Sequence, residues 1–114
     1  MDRAAEFDAQ LERLPTGAAV VRVRGELDMA TAPVLQEKIS AGSGVDRLVI
    51  DLAECTFVDS AALRVITQTA HDVEESGGTL ALVVTDPGIR RVLEITAVDT
   101  VLPVHSTIDS ALGT

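Results

Sequence analysis

Two uninterrupted apolar runs, Leu48-Val49-Ile50 and Leu80-Ala81-Leu82-Val83-Val84, stand on either side of a long segment of helical period, and nothing else in the chain restricts its fold as much. A strand with no polar alternation is covered on both faces, so Arg47 to Leu52 is the candidate central strand and Thr79 to Val84 a second buried one. Between them, Ala62, Leu63, Ile66, Ala70 and Val73 form one face of a helix from Ser60 to Ser76. Arg64, Gln68, His71 and Glu75 form the other face, and Gly77-Gly78 ends the helix.

The same punctuation divides the rest of the chain. Phe7 to Leu14 alternates weakly and runs into Pro15-Thr16-Gly17, a turn leading to Ala18 to Gly25, where Val21 and Val23 alternate with Arg22 and Arg24. This predicts an opening hairpin. A helix follows Gly25-Glu26-Leu27-Asp28, with Pro33 in its first turn, Ala32, Leu35 and Ile39 at helical spacing, and Gly42 as its stop. Either Thr31 or Asp28 is placed to cap it. Asp86-Pro87 opens a third helix bearing Ile89, Val92 and Leu93, and a strand near Val101 to Val104 and a short last helix complete the chain. Strands alternating with helices after a hairpin predict an α/β fold, a mixed β-sheet packed by about four helices. With 114 residues there is no room for a second core, so 1–114 is expected to be one domain.

Composition removes several functions. The chain has nine basic and eighteen acidic residues, a net charge of −9, and the acids are spread along it, which repels nucleic acid and anionic membrane. Two Phe with no Trp or Tyr offer no stacking platform for bases. The run from Leu80 to Val84 is far below the roughly 20 residues of a membrane span, and the acidic start Met1 to Asp8 lacks an apolar leader, so a cytoplasmic location is expected. The single cysteine, Cys55, excludes an internal disulfide and reads as a small buried hydrophobe.

The segment Phe57-Val58-Asp59-Ser60-Ala61-Ala62-Leu63 lies where a strand hands over to a helix, so Asp59 or Ser60 is an N-cap. A serine at such a position is also suited to regulation. A phosphate on it would face the unpaired N–H groups and positive end of the helix, and would add about −1.5 to −2 charges beside Asp59. A partner surface shaped for a hydroxyl would then meet repulsion.

Gly25-Glu26-Leu27-Asp28 with Thr31-Ala32, then Asp51-Leu52, Phe57-Val58-Asp59-Ser60 and Leu63, resemble the STAS domain family over nearly the whole chain. The pattern is most similar to that of the stand-alone bacterial anti-anti-sigma factors. That resemblance implies a partner switch: the domain binds an anti-sigma factor that is an ATP-dependent serine kinase, a sigma factor is released, and phosphorylation of Ser60 undoes the complex. It implies a partner-binding set of Glu26, Asp28, Thr31, Asp59, Ser60, Ala61 and Ala62, with Asp28 and Asp59 as docking carboxylates. It also implies a serine phosphatase as a further partner and a monomer when free. The family's serine is usually followed by Ser or Thr and then Gly; here Ala61 and Ala62 follow, and Ala62 adds a Cβ where the pattern leaves bare backbone. The alternative reading is a non-switching scaffold, or a regulatory subunit of a membrane transporter complex.

An enzyme is not expected. Ser60 could be grouped with His71 or His105 and an aspartate, but no Gly-x-Ser-x-Gly elbow surrounds it. Asp51 is the one candidate phospho-acceptor aspartate, yet the acidic pair required after the first strand is missing, so it reads as a strand-terminal residue accepting local N–H bonds. Arg90 and Arg91 read as a solvated helix face. No histidine spacing suggests a metal and no glycine-rich loop suggests a nucleotide, so neither cofactor nor metal is expected.

Overall fold

The structure is a computed structural model describing residues 6–113, so the first five residues of the acidic start Met1 to Asp8 lie outside the described residues. Strands β1 (Asp8–Arg13) and β2 (Ala18–Leu27) pair antiparallel around the Pro15-Thr16-Gly17 turn, as the opening hairpin requires. From β2 onward every pairing is parallel: β3 (Arg47–Val58) on β2, β4 (Thr79–Val83) on β3, and β5 (Val104–His105) on β4. The sheet order is therefore β1-β2-β3-β4-β5. Helices α1 (Ala32–Ala41), α2 (Ser60–Glu75) and α3 (Pro87–Ile95) fill the connections, and α4 (Ile108–Ala111) closes the described chain. The mixed sheet with four helices matches the fold class expected from the apolar pattern.

The two faces of the sheet separate the core. Val21 and Val23 of β2, Ile50 and Leu52 of β3 and Leu82 of β4 pack with Leu35 of α1, Ile66 of α2 and Leu93 of α3. Their neighbours on the opposite face, Val20, Val49, Ala81 and Val83, are covered by Ala111 of α4 with Ile108 and Leu112 alongside. Burial on both sides is why these strands carry no polar alternation. Each such aliphatic side chain contributes about 1.5–3 kcal/mol relative to exposure.

Two expectations need correction. Strand β3 does not end at Leu52 but continues to Val58, and the β2–β3 register shifts twice, between Arg22 and Arg24 and between Gly25 and Glu26. At the first bulge β3 uses one residue more than β2. Asp51 sits there, inside the strand, and its Oδ1 accepts the Ala53 N–H at 2.9 Å. The local acceptor role holds; the strand-terminal position does not. Likewise β5 begins only at Val104. Val101 lies in a turn that follows the 3₁₀ segment Val98–Thr100, and Pro103 has no N–H to give a ladder.

At the second shift Gly25 has φ +99°, and a Cβ there would lie 3.2 Å from both the Glu6 carbonyl oxygen and the Phe7 Cα. Glycine permits both the dihedral and the approach. Beyond it, Leu27 pairs with Val58 and the Leu27 carbonyl accepts the Asp59 N–H at 3.2 Å. The C-terminal ends of β2 and β3 thus deliver their following loops to one place.

Candidate functional site

The chain after β3 enters α2 through Asp59, which is extended (φ −107°, ψ −179°) while the next residue is already helical. Its carboxylate divides its work. Oδ1 accepts the Ala62 N–H at 2.9 Å, capping α2, and Oδ2 accepts the Met29 N–H at 3.1 Å, across from the loop that follows β2. One side chain therefore supplies an orphan helix donor with an acceptor and ties two loops together. Of the two cap candidates Asp59 is the cap, and Ser60 is the exposed first residue of the helix.

The loop is tightened from within. Asp28 Oδ1 accepts the N–H groups of Ala30 and Thr31 at 3.0 and 3.1 Å, an Asx-type closure. The Thr31 hydroxyl donates to the Glu26 carbonyl at 2.8 Å and accepts the Asp28 N–H at 2.9 Å. Thr31 occupies the cap position of α1 but its side chain faces back into the loop instead of forward to the helix. So neither candidate caps α1 by side chain in the simple way; together they make the turn that precedes it.

These bonds decide what a partner can touch. Asp28 is 4% exposed, Thr31 2% and Ala62 0%, so three of the seven expected partner-binding residues offer no side-chain surface. Within this structure the Asp28 carboxylate shapes its own loop. The added Cβ of Ala62 points into the main core, where close docking does not reach it. Glu26, Asp59 and Ala61 are half-buried, and Ser60 is exposed. Met29, absent from that set, is 76% exposed. Its signal in the sequence is faint: a large apolar residue between two residues, Asp28 and Thr31, whose side chains turn inward.

The other reactive side chains are elsewhere. His71 lies three turns along α2 from Ser60, about 16 Å at a rise of 1.5 Å per residue, and faces Glu75 at 3.2 Å. His105 is on β5, two strands from β3, with Nδ1 2.8 Å from Ser110 Oγ. Ser60 and these histidines are not brought together. Arg91 stands 3.7 Å from Glu94 on the exposed side of α3, a solvated pairing, while Arg90 is half-buried. Cys55 is buried, its thiol donates to the Phe57 carbonyl at 3.3 Å, and burial pushes its pKa above the ordinary thiol value. Among the described residues no group of three His, Cys, Asp or Glu could hold a metal, and no helix is long and apolar enough to cross a membrane. A groove of about 380 Å³ runs between α1 and α2 past Ile39, Val65 and Val73, and Ser60 does not line it.

The loop after β2, folded on its own aspartate, and the N-terminus of α2 with its exposed serine thus lie side by side, joined through Asp59. The STAS domain family matches residues 10–111, and the chain belongs to that family. It is similar to the anti-sigma-B factor antagonist of Bacillus subtilis, 34% identical over 88 residues covering 75% of this chain and 80% of that protein. Among solved structures it superposes on an anti-sigma factor antagonist from Mycobacterium paratuberculosis with a TM-score of 0.85 and 33% identity, covering 94% of this chain and 92% of that one. The phosphorylated form of the Bacillus cell fate determinant SpoIIAA shares the fold, with a TM-score of 0.71 at 22% identity over 93% of this chain and 97% of that one.

Proposed function

We propose that this domain is an anti-sigma factor antagonist that binds an anti-sigma factor of the serine kinase type, frees a sigma factor for transcription in the cytoplasm, and is released when Ser60 is phosphorylated. It performs no catalysis itself; ATP belongs to the kinase, and a serine phosphatase would restore the hydroxyl. The observation that carries this reading is the exposed Ser60 at the first position of α2, beside the half-buried Asp59 carboxylate that holds both loops.

The physics of the switch is local. The α2 N-terminus offers N–H groups and a positive dipole end to a phosphate, so the fold can accept the modification. An interface shaped for a hydroxyl cannot. About −1.5 to −2 charges would appear next to Asp59, and like charges pressed together cost several kcal/mol, where each ~1.4 kcal/mol is tenfold in affinity. The chain's acidic balance, −9 overall, suits a basic docking face on the partner.

The test incubates the protein with anti-sigma serine kinases and ATP, follows intact mass, and measures binding in parallel. One added phosphate, absent in Ser60→Ala, with affinity lost in the phosphorylated protein and in Ser60→Asp, is the expected result. Binding that is indifferent to phosphate and to Ser60→Asp would refute the switch.

A further inference from the structure

We propose, building on the antagonist reading, that Met29 is the apolar anchor of the docking surface, seated in a hydrophobic pocket of the anti-sigma factor, and that Asp59 is the positioning residue that aims it. Single exposed apolar side chains are ordinary on protein surfaces, and Ile95 and Val101 are also exposed here, near the end of α3 and past it. Met29 differs in how it is held. Its N–H is bound by Asp59 Oδ2, the residue before it is buried and gripped by Thr31, and the N–H of the residue after it is bound by Asp28 Oδ1. An adaptable thioether chain is thus displayed from a backbone that is already ordered, which removes much of the ordering cost of an interface.

Its place ties it to the switch. The carboxylate that holds Met29 belongs to the residue directly before Ser60, so a partner that covers the Ser60 hydroxyl meets Met29 on the same surface. Anchor and switch share one support. Desolvated side chains at the centre of an interface dominate its energetics, so the partner must present an apolar recess there, with basic side chains toward the acidic surroundings.

The experiment uses the anti-sigma kinase that phosphorylates Ser60, with calorimetric titration of wild type, Met29→Ala, Met29→Leu, Asp59→Asn, the double variant Asp59→Asn with Met29→Ala, and Ile95→Ala. Met29→Ala should weaken binding at least tenfold, Met29→Leu should stay within about threefold of wild type, and Ile95→Ala should change nothing. In Asp59→Asn the amide has one acceptor for two N–H groups, so binding should fall, and it should fall much less in the Met29→Ala background. A purely structural loss would be additive. Peroxide oxidation of Met29, read by peptide mass, should be at least tenfold slower in the complex. Wild-type affinity in Met29→Ala with unprotected Met29 overturns the anchor and leaves the Ser60 switch standing. Failure of the wild-type protein to bind any such kinase overturns both.

Discussion

Replacing Thr31 by valine tests whether the loop before α1 is held as the hydrogen bonds indicate. Valine keeps the shape and the buried methyl and removes only the hydroxyl, which at 2% residue exposure donates to the Glu26 carbonyl and accepts the Asp28 N–H. Each bond is worth about 1 kcal/mol net, and the groups it served stay buried, so Thr31→Val should cost about 2 kcal/mol. Thr31→Ser retains both bonds and loses one methyl, about 1 kcal/mol. For 114 residues an unfolding entropy of roughly 2.1 cal/mol/K per residue gives about 0.24 kcal/mol/K, so Thr31→Val should lower Tm by about 8 °C. Urea unfolding with an m-value of roughly 1.5 kcal/mol/M should show a midpoint shift of about 1.3 M. A Val variant within 0.5 kcal/mol of wild type, or a Ser variant as damaged as Val, would refute the reasoning.

Gly25→Ala should destabilise by at least about 2 kcal/mol in the same urea assay, since it meets both a positive φ and backbone atoms at 3.2 Å; a cost below 0.5 kcal/mol would show that the Glu6–Phe7 segment does not press on β2. The Cys55 thiol should be unreactive to a disulfide reagent in the native protein and react once unfolded. Because burial raises its folded pKa, the unfolded chain loses its thiol proton first; stability should be independent of this group below about pH 8 and decline as pH rises past roughly 8.5, a decline that Cys55→Ala should remove.

The fold was readable because its informative segments are the ones where burial dictates composition. Leu48-Val49-Ile50 and Leu80 to Val84 read as two-sided strands because each is an unbroken apolar run, and the α2 stripe reads as a helix face because it keeps the helical period. What escaped was irregular. The continuation of β3 to Val58 passes through two register shifts, which break the period-2 pattern from which a strand is recognised. Ala53 and Glu54 are exposed within that strand, which interrupts the apolar run after Leu52. At the last strand the apolar Val101, Leu102 and Val104 read as one segment, although Val101 is exposed in a turn and only Val104 and His105 pair with β4.

At the site the reverse holds: the residues that identify the family serve mainly to build the platform. Gly25 permits a close backbone approach, Leu27 and Leu63 fill the core, Asp28 and Thr31 close the loop, and Asp59 caps α2 while gripping Met29. A motif made of such residues specifies a surface without specifying who docks on it. The exposed side chains on and beside it, Met29, Ser60 and Arg64, are the ones a partner can touch without disturbing that platform. Substitutions at these exposed positions have little buried area to lose, so they can alter affinity with small effects on stability, whereas changes at Asp28 or Thr31 must alter both together. Comparing ΔΔG of unfolding with ΔΔG of binding across the two sets separates platform from contact: correlated losses at the buried residues and binding losses alone at the exposed ones are the signature of this division.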